Sequence, residues 1–335
     1  MTKGTKTFRI IICILLSLTM VFSAFLDLVF ILYISKEIMH KPCGIYVDGV
    51  AVTSSNEDDV LGDGTVYYDS TNNILVFNNA TIESENMVVY SQNDLVIELI
   101  GENKLVCTNG ESATGVYISD YSLGNNLALI GDGSLTIEIP SSKDAVGIYA
   151  SELIVAVDLT FTTPDCENMV NGIVCSDSLM IVEKATVTVN NGASSNYSAA
   201  VRVRGNALME EGTSLNVSVN PGSVGICKGL SVSGDLFLGK GTTLDVSIDD
   251  GATDLGECIR VSGLMEVGID STVTATAKNA YAIECFGTIE ANSGAAISAD
   301  SDKKAADLFC SGAVLNYGAE FDAEIDVIAE VRTMD

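Results

Sequence analysis

The tripeptide Ile283-Glu284-Cys285 places apolar residues on both sides of a charged one, and this apolar-x-apolar pattern recurs along most of the chain. Successive copies are separated by 27, 32, 25, 28, 24, 34, 24 and 25 residues. A sustained period of this length, built from short alternating segments, is typical of a solenoid. The nine copies are Val89-Tyr90-Ser91, Val116-Tyr117-Ile118, Ile148-Tyr149-Ala150, Ile173-Val174-Cys175, Val201-Arg202-Val203, Gly225-Ile226-Cys227, Ile259-Arg260-Val261, Ile283-Glu284-Cys285 and Leu308-Phe309-Cys310.

Each repeat contains up to three such segments, separated by corners rich in Gly, Asn, Asp and Ser. Period-two alternation predicts strands with one buried face, as in Leu135-Thr136-Ile137. Three strands per repeat predict an all-β fold, a parallel β-helix of about nine coils, and parallel crossovers favour the right hand. A two-sheet sandwich is the alternative, but its strands do not keep one period over nine copies.

Residues 44–85 do not follow the repeat, and we predict that they form an N-terminal β cap over the open end of the core. Its first part reads as two strands around Asp48-Gly49, and a hairpin-like pair follows around residues 69–73. The predicted division of the chain is a cytoplasmic tail (1–7), a membrane segment (8–34), a linker (35–43), the cap (44–85) and the parallel β-helix (86–335).

The segment from Phe8 to Ile34 is apolar apart from Arg9, Asp27 and a few Ser and Thr residues. As a helix it would be about 40 Å long, more than the ~30 Å hydrocarbon core of a bilayer. It predicts one transmembrane helix, an uncleaved signal anchor in the plasma membrane with the rest of the chain outside the cell. The alternative is a secreted protein whose signal peptide is cleaved.

The formal net charge is −28, with 45 acidic and 17 basic residues. The first 40 residues hold four basic and two acidic side chains, so the remainder carries −30. A body this acidic repels nucleic acid, which we exclude as a partner. There is a single histidine, His40, which removes most histidine-based chemistry.

Nine cysteines occur, and eight of them follow the membrane segment. Cys175, Cys227, Cys285 and Cys310 fall at the inward position of the repeated tripeptide, which predicts free thiols acting as small core residues. Cys285 and Cys310 would lie on adjacent coils, so a disulfide between them is the alternative. No Cys-x-x-Cys pair or Cys/His cluster indicates a zinc site.

The outward position of the tripeptide holds Tyr90, Tyr117 and Tyr149 on consecutive coils. At about 4.8 Å per coil, the three rings would form a strip about 10 Å long. Sugar rings have apolar faces that pack on aromatic rings, and Tyr adds a hydroxyl, so the strip is a candidate carbohydrate site. A purely structural role, in which stacked Tyr stabilises neighbouring strands, is the alternative.

The same outward column holds Arg202 and Arg260, with Ile226 predicted between them, and Arg204 and Lys228 lie nearby. Arg202 and Arg260 are therefore candidate ligand-binding residues. The simpler interpretation is that these cations pair with surface carboxylates such as Glu257 and Glu284.

No catalytic site is predicted. Of the polygalacturonase motifs, only an Asp-Asp pair can be matched, at Asp249-Asp250 in a corner turn. No cofactor is predicted either; calcium, through oxygen ligands of Asp249-Asp250 or of Glu57-Asp58-Asp59, is left open although neither has the spacing of a known calcium loop.

The stretches from Gly44 to Thr53, Asp59 to Val66 and Asn73 to Ile82, with Gly131-Asp132-Gly133-Ser134-Leu135-Thr136 and Gly147-Ile148-Tyr149, resemble cell-surface parallel β-helix proteins of Gram-positive, gut-type clostridia. The resemblance covers 44 to about 325. Some members of that family are regarded as carbohydrate-binding domains, so it implies a surface protein that binds glycans.

Together these features predict a membrane-anchored extracellular β-helix that binds carbohydrate or acts as an adhesin. The alternatives are a lyase or hydrolase of an acidic polysaccharide, and a non-catalytic structural or protein-binding rod.

Overall fold

The computed structural model describes residues 42–85, 87–119, 124–220, 226–249, 256–278, 281–301, 307–327 and 330–333, together with Leu26. From residue 42 onward the secondary-structure elements of the described residues are β-strands, which we number β1 to β34 along the sequence. They form three sheets whose neighbouring strands come from successive repeats. The protein is therefore an all-β parallel solenoid.

The first sheet carries the repeated tripeptide. Its strands are β1 (Pro42–Val47), β2 (Val50–Thr53), β6 (Val89–Ser91), β9 (Ser112–Ile118), β12 (Ser142–Ala150), β15 (Cys166–Cys175), β18 (Tyr197–Val203), β21 (Ile226–Val232), β24 (Glu257–Val261), β27 (Tyr281–Cys285), β30 (Leu308–Cys310) and β33 (Ile325–Val327).

The second sheet follows the first after a short corner in each repeat. Its strands are β3 (Val66–Asp69), β4 (Ile74–Asn78), β7 (Leu95–Ile100), β10 (Leu127–Gly131), β13 (Leu153–Val155), β16 (Leu179–Ile181), β19 (Ala207–Met209), β22 (Leu236–Leu238), β25 (Met265–Val267), β28 (Ile289–Ala291), β31 (Ala313–Asn316) and β34 (Glu330–Thr333).

The third sheet completes each turn. Its strands are β5 (Thr81–Ser84), β8 (Glu102–Cys107), β11 (Ser134–Glu138), β14 (Asp158–Thr163), β17 (Thr186–Asn191), β20 (Ser214–Val219), β23 (Thr243–Ile248), β26 (Thr272–Ala277), β29 (Ala296–Ser301) and β32 (Glu320–Asp322).

The core is the space enclosed by the three sheets. Leu129, Ile137 and Ile148 are typical inward residues, and each is almost completely buried. Most of the residues that alternate with them along the same strands are half-buried. Burying one such aliphatic side chain contributes about 1.5–3 kcal/mol relative to leaving it in water. Every turn buries several such side chains, so burial of the inward residues is the main driving force for this fold.

Eight of the nine predicted tripeptides lie in one column, as the pairing of Val116-Tyr117 with Ile148-Tyr149 illustrates. The copy predicted at 225–227 is wrong. Leu230-Ser231-Val232 occupies the column between Val201-Arg202-Val203 and Ile259-Arg260-Val261. The error arose because β21 is apolar at both ends: Ile226 pairs with Tyr197, four positions before the column.

The N-terminal end of the solenoid carries antiparallel strand pairs. β1 and β2 form a hairpin whose turn residues Asp48 and Gly49 have φ of 49° and 72°, the positive values that a type I′ turn requires. β3 and β4 form a second hairpin. β1 then pairs antiparallel with β6, whereas β4 and β5 pair in parallel with β7 and β8. In the first sheet, therefore, the first parallel strand, β6, is bordered by a strand that runs in the opposite direction, β1.

A column of small residues in the first sheet packs closely against the third sheet. A Cβ added to Gly147 would lie 2.4 Å from the Gly172 oxygen and 2.6 Å from Phe161 Cδ2. Gly115 and Gly229 are similarly close to large residues of the third sheet. In the two coils after Gly229 the third sheet has Ala275 and Ala299 at this level, and by register the column carries Cys258 and Ala282 instead of glycine. Where the first sheet has glycine, the third sheet has a larger side chain, and where the third sheet has alanine, the first sheet has a residue larger than glycine.

The predicted membrane segment, residues 8–34, lies outside the described residues apart from Leu26. Within the described part of the chain, no helix is long and apolar enough to cross a membrane.

Candidate functional site

The outward column of the first sheet collects the candidate residues on one face. From the N-terminal end, successive in-register residues are Tyr46, Tyr90, Tyr117, Tyr149, Val174, Arg202, Ser231, Arg260, Glu284, Phe309 and Asp326. The structure therefore brings the three predicted tyrosines together and places the two predicted arginines on the same line. Ser231, and not the predicted Ile226, separates Arg202 from Arg260 because of the register of β21.

The tyrosine stack consists of Tyr46, Tyr90, Tyr117 and Tyr149. The ring centroids of Tyr90 and Tyr117 are 6.0 Å apart with planes at 18°, and those of Tyr117 and Tyr149 are 5.0 Å apart at 14°. The rings therefore stack on one another, and both faces of Tyr117 are turned toward neighbouring rings. In the middle of the stack, neighbouring rings therefore largely cover the flat faces that were predicted to contact sugars. There, the ring edges are what the tyrosines can present to a ligand.

The stack opens at its N-terminal end. Tyr46, which the sequence analysis did not single out, lies 5.8 Å from Tyr90 with its ring tilted by 43°. A cavity of about 440 Å³ lies beside these two rings, and Gly49, Met87, Asn109 and Ser112 complete its lining. The side chain of Met87 contributes to this surface with 43% of its area exposed. We call this space the stack cavity.

Asn109 is fixed at the rim of the stack cavity by its own hydrogen bonds. Its Nδ2 donates to the Glu85 oxygen at 3.0 Å, and its Oδ1 accepts from the backbone N–H of Glu111 and Ser112 at 2.9 and 3.1 Å. These bonds fix the amide and use both acceptor sites of Oδ1, so its second Nδ2–H is the group that it can offer to a ligand. The cavity thus combines aromatic rings, a thioether and a rigid polar edge.

Arg260 and Lys228 are engaged within the protein. Glu257 lies between them, with Lys228 Nζ 2.7 Å from its Oε2 and Arg260 Nη1 in contact with its Oε1. The side chain of Glu257 is 16% exposed, so this ion pairing is partly screened from water. The predicted pairing of these cations with a surface carboxylate is therefore confirmed for Glu257.

Arg202 differs from Arg260 in having no ion pair with any residue in the described ranges. Its neighbours in the column are Val174 and Ser231, neither of which can neutralise a guanidinium. Arg204 lies just beyond the strand and is exposed.

The C-terminal part of the column carries a second aromatic surface, which we call the phenylalanine cluster: Tyr281, Phe286 and Phe309. The Phe309 centroid is 5.9 Å from each of the other two rings, with planes at 43° and 64°. The guanidinium carbon of Arg260 lies 4.8 Å from the Phe286 centroid, within the range of a cation–π contact. Phe286 directly follows the strand and does not fit its period-two pattern, so there was no reason in the sequence to include it among the predicted site residues.

The eight cysteines of the described region are free thiols, as predicted, and all except Cys43 are buried. Burial raises the pKa of Cys227 to about 11 and raises the pKa of Cys175 further. Cys285 and Cys310 are in-register neighbours on adjacent coils; the neighbouring Cys310 thiol and burial raise the pKa of Cys285, whereas the Cys285 thiol lowers the pKa of Cys310. The inward placement predicted for four cysteines is confirmed, although Cys227 lies outside the tripeptide column.

Within the described residues, no group of three or more His, Cys, Asp or Glu side chains converges. Asp59 Oδ1 instead accepts hydrogen bonds from the backbone N–H of Gly62 and Gly64, at 2.9 and 3.0 Å, and so holds a turn. Asp249 is exposed, and Asp250 lies outside the described residues.

Comparison of the chain with protein-family models, with characterised proteins and with solved structures finds no match.

Proposed function

We propose that this chain is a non-catalytic carbohydrate-binding protein of the cell surface. The observation that carries the proposal is the stack cavity, where the tilted rings of Tyr46 and Tyr90 meet a polar rim formed by Asn109 and Ser112. Its volume of about 440 Å³ lies within the usual range for small-ligand sites, about 300–1,000 Å³.

Sugars match this combination of groups. Their C–H faces pack against aromatic rings, and their hydroxyls require hydrogen-bonding partners at the edge of the contact. The principal contact is at the end of the stack and not at its middle. Tyr46 and Tyr90 are tilted relative to each other, whereas Tyr117 lies between two nearly parallel rings. Tyr117 and Tyr149 would then support the position of Tyr90 and offer their edges.

A glycan array tests the proposal, using the full-length protein in detergent with calcium and, separately, with a chelator. Tyr90→Ala is expected to weaken binding to any positive glycan about 10-fold, the effect of losing an aromatic contact of about 1.4 kcal/mol. Tyr67→Ala is the matched control, since Tyr67 is a half-exposed tyrosine of the second sheet. Equal binding by both variants would place the site elsewhere, and a protein that binds no glycan would favour a protein-binding rod.

The membrane anchor forms part of the same proposal. We infer that residues 8–34 span the plasma membrane and hold a right-handed solenoid on the outer surface, an arrangement supported by the length and polarity of that segment. Protease added to intact cells should then release the solenoid and leave a small membrane-bound fragment. A mature protein in the medium that begins near residue 24 would instead show signal-peptide cleavage.

A further inference from the structure

The phenylalanine cluster is an exposed aromatic surface at the far end of the column that begins with the tyrosine stack. Phe286 is 42% exposed, and its ring planes are not parallel to that of Phe309, so the rings do not cover one another as in the tyrosine stack. Arg260 lies against Phe286. Aromatic side chains and arginine are the residues that contribute most at binding surfaces, so this cluster has the composition of a second site.

The two aromatic surfaces lie along the same outward column of the first sheet. From Tyr90, which lines the stack cavity, to Phe309 the column takes eight in-register steps. The residues between the tyrosine stack and Phe309 are Val174, Arg202, Ser231, Arg260 and Glu284. At about 4.8 Å per step the separation is about 38 Å.

The intervening surface suits an extended chain. Val174 is 8% exposed, and Ser231 is small, so neither rises above the sheet. Arg202, which has no ion pair within the described ranges, lies between them and can donate hydrogen bonds to oxygen atoms of a ligand.

Building on the proposed function, we infer that the ligand is an extended polysaccharide that runs parallel to the solenoid axis and contacts both the tyrosine stack and the phenylalanine cluster. A chain held at one end is presented to the other at high effective concentration, so two weak contacts combine into one strong one. A short oligosaccharide or a terminal sugar reaches only one surface and gains nothing from the second.

Calorimetric titration of the full-length protein with two size ladders tests this inference, one of cello-oligosaccharides and one of homogalacturonan fragments. In the ladder that binds, fragments longer than about 38 Å should bind on the order of 100-fold more tightly than short ones. Phe286→Ala should reduce the long fragments to the affinity of the short ones and leave the short ones unchanged. Arg202→Gln should weaken long fragments only.

The matched control is Phe237→Ala, because Phe237 is an outward, half-exposed residue of the second sheet. Short and long fragments of equal affinity would overturn the inference and leave the proposed function intact. A length dependence that Phe286→Ala and Phe237→Ala affect equally would also overturn it, because the second contact would then lie elsewhere. Absence of binding throughout both ladders would reject the inference and, with a negative glycan array, the proposed function as well.

Discussion

Replacement of Gly147 by alanine tests the packing between the first and third sheets. The added Cβ would lie 2.4 Å from the Gly172 oxygen, and 2.6 and 2.9 Å from Cδ2 and Cε2 of Phe161. All three distances are far below the 3.5–4.0 Å at which non-bonded atoms attract. Relief requires the backbone of one coil or the ring of a fully buried phenylalanine to move, because no flexible side chain is involved.

Overpacking of this kind destabilises a core by about 1–3 kcal/mol. The upper part of that range is expected here, since one of the two contacts is with backbone. Gly110→Ala provides the control, because a Cβ at Gly110 has no atom within 4 Å. There, alanine should leave stability unchanged or raise it by up to about 1 kcal/mol through the unfolded chain.

The assay is urea unfolding followed by circular dichroism, with the midpoints of the two variants and the parent compared under one protocol. In a repeat protein each transition can be partial, so the midpoint and the slope are both recorded. The double change Gly147→Ala with Phe161→Leu should recover part of the loss, because it relieves the ring contact but not the carbonyl contact. A midpoint for Gly147→Ala equal to that of Gly110→Ala would refute the packing argument.

Three further predictions concern charge and thiol chemistry. Iodoacetamide at pH 8 should label Cys43 alone among the described cysteines until the protein is unfolded, because the others are buried, and site-resolved mass spectrometry measures this. Glu257→Gln should lower the free energy of unfolding by about 1–3 kcal/mol by leaving two partly buried cations without a carboxylate, and more at low than at high salt in urea titrations. The pKa of Asp69 is lowered by hydrogen bonds from Asn72 and Thr71, so its contribution is present above about pH 4 and is lost as pH falls through the lowered pKa; Asp69→Asn should reduce stability at pH 7 and flatten the loss in acid.

The sequence predicted the column of the first sheet at eight of nine positions because inward and outward residues alternate with a period of two. It failed at β21, where two overlapping apolar-x-apolar patterns fit the strand, and only pairing with β18 and β24 selects Leu230-Ser231-Val232. Pattern alone cannot choose between them, since register is fixed by contacts with strands 29 residues away in both directions, at 201 and 259.

The candidate site shows the same division. Tyr90, Tyr117 and Tyr149 could be found from the repeat, and Gly44-Ile45-Tyr46 repeats the Gly-Ile-Tyr of 147–149 and could have pointed to the fourth ring. The orientation of the rings could not be found in this way. Side-chain torsions and neighbouring rings decide whether a tyrosine presents its face or its edge, and neither is encoded in spacing along the chain.

By itself, then, the sequence determined an all-β solenoid with a β cap, the inward placement of its apolar and cysteine residues, and the alignment of three tyrosines with two arginines. These follow from periodicity, which is a property of the chain. The tertiary structure alone decided that the faces of Tyr117 are covered, that a cavity lies beside Tyr46 and Tyr90, and that Arg260 is held by Glu257 and Phe286. Those features depend on contacts between residues distant in sequence, whose geometry is set only when successive coils stack.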